Sequence, residues 1–303
     1  MRLLLKLGGL AAFNAIAGLA FLVLHSAGLD YATWETDSRL CMMPEGARHK
    51  AVVLGTSHAY VFSRLEPNHK HLEDAAGGPV VNLALPTGGG VWPARIYLEQ
   101  YLAEGNRAEA LIYFLEPFVL YNDAASTAHK FVYFEPFRFD FLLRLIREGY
   151  PPRRIFTYVR SKFSSDYVFQ GPRQMDAFPW GLRPEHVTAE GIRKRMEMLY
   201  LEGRNPATFA RYRAELEKIL ALAEAHHMRV RIVTPPTLLG HEPGQPAMEE
   251  ALGTLAQRHA FVYRDFTDAM PDPALYYNLD HMNTPGVAHF CKELLGPFLA
   301  QAG

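Results

Sequence analysis

Short apolar segments alternate with helical segments of ten or more residues along most of this chain. Strands that alternate with helices of this length form a parallel sheet covered by helices on both faces. The sequence therefore predicts an α/β fold, a doubly wound parallel sheet of about five strands. The predicted strands are residues 50–54, 79–83, 110–115, 229–234 and 261–264.

Length and composition indicate one large domain. The chain has 303 residues, of which 49% are hydrophobic and 21% charged, so it can bury a full core. Its 31 basic and 32 acidic residues nearly cancel, which argues against nucleic acid as a partner. The stretch from about 120 to 205 is rich in aromatic and basic residues and breaks the strand–helix alternation. We expect it to be a helical insertion between the third and fourth strands.

An apolar run occupies residues 7–27 and contains few polar side chains. Roughly twenty residues of helix span a bilayer core of about 30 Å. Arg2 and Lys6 precede the run and acidic residues follow it. Under the positive-inside rule this places the N-terminus in the cytoplasm and the rest of the chain outside it.

We therefore predict an uncleaved single-pass anchor at residues 1–28, a tether at 29–47 and an α/β domain at 48–303. The protein would lie in the inner (cytoplasmic) membrane with its bulk in the periplasm. A cleaved signal peptide is the alternative, although the apolar stretch is longer than a usual signal and no small-x-small site follows it. A buried first helix of a soluble protein fits less well, because no polar face interrupts the run.

The first predicted strand ends in Gly55, Thr56 and Ser57, a tight turn with a hydroxyl at its tip. A turn or helix N-cap is the common alternative role for such a serine. In open parallel sheets, however, ligands bind at the carboxyl ends of strands. The turn also places backbone N–H groups beside the hydroxyl, where they can stabilise an oxyanion. We predict that Ser57 is a nucleophile.

A polar loop near the other end of the chain contains His281, just before the last helix. A serine nucleophile needs a base within hydrogen-bond reach, and that base needs an orienting acceptor. We predict that His281 is the general base and lies within hydrogen-bond range of Ser57. A structural hydrogen-bonding role is the alternative for His281.

Asn278 and Asp280 are the candidates to orient His281. Charge favours Asp280, because a carboxylate stabilises imidazolium better than an amide does. Side chains of adjacent residues in an extended segment point apart, which would turn Asp280 toward solvent or a backbone amide. Asn278 stands three positions before His281, where a turn can fold its side chain under the ring. We predict Asn278 as the orienting residue.

The end of the second strand supplies candidates for an oxyanion site. Asn82 and a run of glycines that includes Gly88 and Gly89 follow this strand. Glycines let a backbone approach a ligand closely and present N–H donors. We predict that these residues, with the backbone N–H of Ser57, hold the oxyanion. A flexible loop is the alternative interpretation of the glycines.

Two further residues are candidates for the pocket. Glu116 ends the third strand at the same edge of the sheet, where its carboxylate would contact substrate or cap a helix. His58 follows the predicted nucleophile directly and is a candidate to line the pocket.

No spacing typical of metal ligands occurs around Asp265, Asp268 or the paired histidines, so we expect no metal and no other cofactor. Cys41 and Cys291 are too few for a disulfide framework. A single bridge and two free thiols both remain open.

Four segments carry a resemblance to a known family: 55–57, 80–84 with 88–90, 233–236 and 281–286. They resemble the SGNH hydrolase superfamily. The resemblance is closest to its membrane-anchored extracytoplasmic members, related to the D-alanine transfer protein of lipoteichoic acid synthesis and to polysaccharide O-acetylation proteins. It covers roughly residues 48–300. Asn278 stands where the family has its triad aspartate, and no asparagine accompanies Glu116 where the family has an oxyanion asparagine.

The resemblance implies acyl transfer or ester hydrolysis through an acyl-serine. It implies a substrate among cell-envelope glycans or their acyl donors, and a membrane-bound acyltransferase as the partner that hands over the acyl group. A different class of function stays open as the alternative. This is a non-catalytic binding or assembly subunit of a membrane-associated polysaccharide modification complex. A conventional soluble lipase is disfavoured by the anchor.

Overall fold

The computed structural model describes residues 2–27, 43, 45–62, 67–85, 89–126, 132–133, 135–164 and 181–301. Five strands form one sheet in the order β2-β1-β3-β4-β5, and every neighbouring pair is parallel. This confirms the predicted sheet. The strands are β1 Arg48–Leu54, β2 Val80–Asn82, β3 Arg107–Phe114, β4 Arg229–Thr234 and β5 Phe261–Asp265.

Helices flank the sheet and fill the segment between β3 and β4. They are α1 Arg2–Ala27, α2 Ser57–Tyr60, α3 Pro67–Ala76, α4 Val91–Ala103, α5 Asp123–Ser126, α6 Phe139–Arg147, α7 Pro152–Ser161, α8 Ala189–Leu199, α9 Pro206–Ala225, α10 Gln245–Leu255, α11 Thr284–His289 and α12 Gly296–Ala300. A π-helical segment, Phe290–Leu295, joins α11 to α12.

Side chains alternate between two hydrophobic layers along each buried strand, as period-2 geometry requires. On β1, Val52 and Leu54 pack into the layer that contains α4 and α9. Ala51 and Val53 pack into the layer that contains α3, α11 and α12. Both faces of the sheet are therefore covered, and its carboxyl edge is left for the site.

The strand β3 begins earlier than the sequence pattern predicts, at Arg107. Its first four residues are alternately exposed and half-buried, so they carry no apolar signal. Pairing with β1 nevertheless includes them, since Arg48 lies opposite Arg107. Ladder hydrogen bonds to a neighbouring strand define this end of β3, and side-chain hydrophobicity does not.

The insertion is clamped to the layer over the sheet by a buried charge cluster. Arg95 of α4 is 3% exposed and pairs with Glu215 of α9 at 2.5 Å. It also pairs with Glu148, which follows α6, and with Glu99 of its own helix. Because Arg95 is satisfied by carboxylates from three segments, the insertion is held against α4 and α9 at a fixed place.

The N-terminal helix α1 is long and apolar enough to cross a membrane. Its stretch Lys6–Leu24 covers 19 residues with a mean hydropathy of 2.1 and is 6% buried. Near the end of α1, Phe21 stacks on Phe163 at a centroid distance of 5.8 Å. Leu22 is buried among core residues. The helix therefore meets the folded domain beside α7.

Candidate active site

The turn after β1 presents Ser57 at the carboxyl edge of the sheet. Gly55 has φ 153°, and a Cβ there would lie 2.7 Å from the Cβ of Ala59. Only glycine fits this turn without displacement of α2. Thr56 caps α2, and its hydroxyl donates a hydrogen bond of 2.6 Å to Glu116 Oε1. The turn thus fixes Ser57 as the first, half-buried residue of α2.

Asn82 supports this turn from below and does not face the reacting hydroxyl. Its amide group donates to the carbonyls of Ala59, at 3.1 Å, and Phe62, at 2.9 Å. Its side-chain oxygen accepts from the N–H of Ala84. The amide hydrogens of Asn82 thus anchor the segment that carries Ser57, and its role in an oxyanion site stays a prediction.

The loop that carries His281 is closed at its base. Tyr276 and Met282 form an isolated antiparallel bridge, and the N–H of Tyr277 donates to the carbonyl of His281 at 3.1 Å. Within the loop, Asn278 Oδ1 accepts from the backbone N–H of Asp280 at 3.0 Å and of His281 at 2.8 Å. The result is a tight bend that points the imidazole toward the end of β1.

The structure brings Ser57 and His281 together. Ser57 Oγ and His281 Nε2 lie 2.7 Å apart. On the other side of the ring, His281 Nδ1 lies 3.1 Å from Asn278 Oδ1 and 3.1 Å from Asp280 Oδ1. A hydroxyl, an imidazole and an acceptor in this chain can activate the serine for attack on an acyl carbon.

Asp280 is buried, which corrects the expectation that it turns toward solvent. It is 2% exposed, and Arg195 of α8 holds its Oδ2 through a hydrogen bond from Nε at 2.8 Å and an ion-pair contact from Nη2 at 2.6 Å. The expectation assumed an extended segment, whereas the bend around Asn278 brings the neighbouring side chains of Asp280 and His281 to one side. Asp280 thus reaches Nδ1 as closely as Asn278 does, and it also carries charge.

The charges around Asp280 keep it ionised. Burial alone would raise the pKa of this carboxyl, but its hydrogen bond to His281 and the nearby charges of His58 and Arg195 hold the pKa below the usual range. Because Asp280 supplies a carboxylate and Asn278 a neutral amide, the geometry and charge together favour Asp280 as the orienting group.

His58 and Glu116 form a second buried pair beside the first. His58 Nδ1 contacts Glu116 Oε1, and both side chains are nearly inaccessible to solvent. Burial alone would lower the pKa of His58, but the charge and hydrogen bond of Glu116, and then the charge of Asp280, raise it. The carboxylate that His58 faces therefore stabilises the protonated form of its ring. That His58 and Glu116 line a substrate pocket stays a prediction.

The two histidine rings are stacked, and this sets the protonation of the predicted base. Their centroids lie 4.5 Å apart with an interplanar angle of 3°. Burial and then the positive charge of His58 lower the pKa of His281, whereas the hydrogen bond that His281 donates to Asp280 raises it. His281 is therefore neutral at neutral pH, which is the form a general base requires.

Backbone N–H groups at the turn are the remaining candidates for an oxyanion site. A Cβ on Gly89 would lie 2.8 Å from the carbonyl oxygen of Gly55 and 3.0 Å from Thr56 Cα, so its backbone packs directly on the turn. The N–H of Ser57 begins a helix, where no intrahelical acceptor exists. Gly88 lies outside the described residues.

The three groups His58, Asp280 and His281 also lie close enough to suggest metal ligands, with candidate ligand atoms within 4.8 Å of one another. Their chemistry argues otherwise. His281 Nε2 is hydrogen-bonded to Ser57, and a protonated His58 offers no lone pair. The absence of a metal stays a prediction.

Three residues of this site carry no sequence signal that would have revealed them. Arg195 comes from a surface-like helix of the insertion. Tyr200, just after that helix, donates a hydrogen bond of 2.8 Å to Glu242 Oε2, and burial raises the pKa of Glu242 to about 7. Only the three-dimensional fold brings Arg195 and Tyr200 of the insertion together with Glu242, which follows β4.

No family model matches this chain. No curated protein matches it either. Among solved structures it is similar to a Bacteroides fragilis protein described as a "putative acylhydrolase". The TM-score is 0.40 at 11% sequence identity, and the match covers 89% of this chain and 99% of that one. The interpretation of the site accordingly rests on its own geometry.

The orienting role of Asp280 is testable through the reactivity of Ser57. Asp280→Asn keeps the shape of the side chain but removes its charge. We expect the rate at which a fluorophosphonate probe modifies Ser57 to fall by roughly three to four orders of magnitude, as when a triad carboxylate is lost. Asp272→Asn is the matched control, since Asp272 caps a nearby turn without contact to His281. A fall of less than about tenfold would instead assign the role to Asn278.

The influence of His58 on His281 should appear in the pH dependence of the same reaction. The rate rises with pH as His281 loses its proton, with a midpoint below the ordinary 6.5. His58→Gln removes the adjacent ring whose charge lowers the pKa of His281, so that pKa rises and the midpoint moves to higher pH. His71→Gln, on α3, should leave the profile in place. An unchanged or lower midpoint in His58→Gln would show that the stacked ring does not tune the base.

Proposed function

We propose that this protein is a membrane-anchored, extracytoplasmic enzyme of the SGNH hydrolase kind that transfers acyl groups or hydrolyses esters through an acyl-serine. The observation that carries the proposal is the 2.7 Å contact of Ser57 Oγ with His281 Nε2, backed by Asp280 on Nδ1. Three groups drawn from two distant segments meet at the carboxyl edge of a parallel sheet, where ligands of such sheets bind.

In the first half of the proposed reaction, Ser57 Oγ forms a bond to the acyl carbon of an ester. Its proton passes to His281 Nε2, and the carbonyl electron pair moves onto oxygen. Asp280 stabilises the imidazolium that results. The backbone N–H of Ser57, with the adjacent Gly89 backbone, stabilises the oxyanion. Collapse of this intermediate breaks the ester bond, and the departing alkoxide takes the proton from His281.

In the second half, a hydroxyl of an acceptor sugar or a water molecule replaces the leaving group. His281 takes its proton while its oxygen bonds to the acyl carbon, and the proton then returns to Ser57 Oγ as the acyl–serine bond breaks. Transfer and hydrolysis differ only in which hydroxyl occupies this position. The charge of His58 beside the ring favours the neutral form of His281 at the start of each half.

A membrane anchor at α1 would put this chemistry at the cell envelope. We infer from the length and composition of α1 that it spans the inner membrane once, with the bulk of the chain in the periplasm. Cell-envelope glycans or their acyl donors are the substrate class that this location and the SGNH resemblance favour. A membrane-bound acyltransferase that supplies the acyl group is the partner they favour.

The proposal is tested by turnover of p-nitrophenyl acetate by the full-length protein in detergent. We expect Ser57→Ala to lower kcat/KM by roughly three orders of magnitude or more, because the nucleophile is lost. Ser164→Ala, which changes a serine of the insertion, should leave it unchanged. Equal turnover by the parent and by Ser57→Ala would favour the alternative, a non-catalytic subunit of a modification complex.

A further inference from the structure

Helix α6 exposes an apolar stripe to solvent. Phe139, Leu143 and Ile146 follow one another at helical spacing and are 53%, 46% and 54% exposed. The opposite side of the same helix is buried through Phe141 and Leu145. The helix therefore has one apolar face toward the core and a second apolar face that nothing in the described part of the chain covers.

The neighbouring helix α7 extends this surface and adds positive charge. Phe156 is 66% exposed, and Phe163, just beyond the end of the helix, is 53% exposed. Arg153 and Arg160 lie on the same helical face, at spacings of three and four residues from Phe156, and are also exposed. The guanidinium of Arg160 lies 5.9 Å from the Phe156 ring centroid. Large apolar groups thus alternate with arginines.

This surface continues into the N-terminal helix. Phe163 stacks on Phe21, in the part of α1 that is apolar enough to lie in a bilayer. A helix that crosses the membrane fixes the distance from the bilayer of residues packed against its end, here Phe163. With α1 in a bilayer, the Phe163 end of α7 would lie next to the bilayer surface, where apolar side chains can enter the interface.

We propose that the exposed face of α6 and α7 is a membrane-binding surface that inserts Phe139, Leu143, Ile146 and Phe156 into the outer leaflet of the bilayer that α1 spans. The occupant is an anionic phospholipid surface. Arg153 and Arg160 contact its phosphate groups, while the aromatic and aliphatic side chains enter the boundary between headgroups and acyl chains. This proposal rests on the proposed anchoring by α1.

The pattern of charge favours lipid over a second copy of this chain. In a two-fold contact between identical faces, the arginines of one copy would meet a face that carries the same positive charge. At a phospholipid surface the same arginines meet phosphate, and each contributes about 1 kcal/mol of attraction. Docking would also restrict rotation of the domain about α1, so that Ser57 keeps one orientation toward the membrane.

The test places a fluorophore on the surface in the full-length protein. The parent carries Cys41→Ser and retains Cys291, which is 2% exposed and whose pKa burial raises to about 12, so it should take no label. Phe156→Cys is compared with Lys292→Cys, which lies on the helical layer over the other face of the sheet. Both are labelled and reconstituted in phosphatidylethanolamine and phosphatidylglycerol vesicles that contain doxyl-labelled lipid.

We expect doxyl quenching at position 156 to exceed that at position 292 on the order of threefold or more, because only the first lies at acyl-chain depth. Arg153→Glu combined with Arg160→Glu should reduce quenching at position 156 in these anionic vesicles and much less in phosphatidylcholine vesicles. Loss of this difference between lipids would contradict the anionic specificity of the surface.

Equal quenching at the two positions, with the chain retained in vesicles after an alkaline wash, would overturn the membrane surface and leave the anchor standing. Strong quenching at position 156 in a chain that the wash extracts would support the surface and contradict the anchor. Energy transfer between labels at position 156 on two chains, without quenching by lipid, would assign the face to self-association and overturn the proposal.

Discussion

The state of the His281 ring is the feature on which the whole site depends. For catalysis, Nε2 of the ring must lie close to Ser57 Oγ, here at 2.7 Å, and carry no proton, while the proton stays on Nδ1. Asp280 at 3.1 Å fixes the first nitrogen, and the positive charge of His58 at a 4.5 Å ring separation opposes protonation of the second. The loop before α11 supplies Asp280, and α2, just after β1, supplies His58.

The site buries several ionisable side chains close together, so the pairing of opposite charges matters. Arg195 pairs with Asp280, and His58 pairs with Glu116, so that each buried ion has a partner of opposite sign. Removing an ion from water costs several kcal/mol, and the loss of one partner leaves the other uncompensated. The insertion therefore belongs to the site as much as the sheet does, because it supplies Arg195.

Much of this arrangement could be predicted from the sequence, and the reasons for success and failure are physical. The end of β1 in a glycine turn and the polar loop before the last helix are local signals, and parallel strands place their carboxyl ends at one edge. The orientation of Asp280 is not local. It depends on a bend that Asn278 closes by accepting two backbone N–H groups, and on an arginine 85 positions away. Asn82 is a different case. Its place at the end of β2 predicts contact with a ligand, whereas its amide group donates hydrogen bonds to backbone carbonyls.

The most direct test of the account is to trap the acyl-serine. The full-length protein is mixed with p-nitrophenyl acetate, quenched with acid within the first turnover and digested for peptide mass spectrometry. Because p-nitrophenolate leaves readily, acylation should outpace deacylation. The account predicts an acetyl group on Ser57 and none on that residue in His281→Ala. Release of p-nitrophenolate with Ser57 unmodified, or acetyl groups on other residues alone, would contradict it.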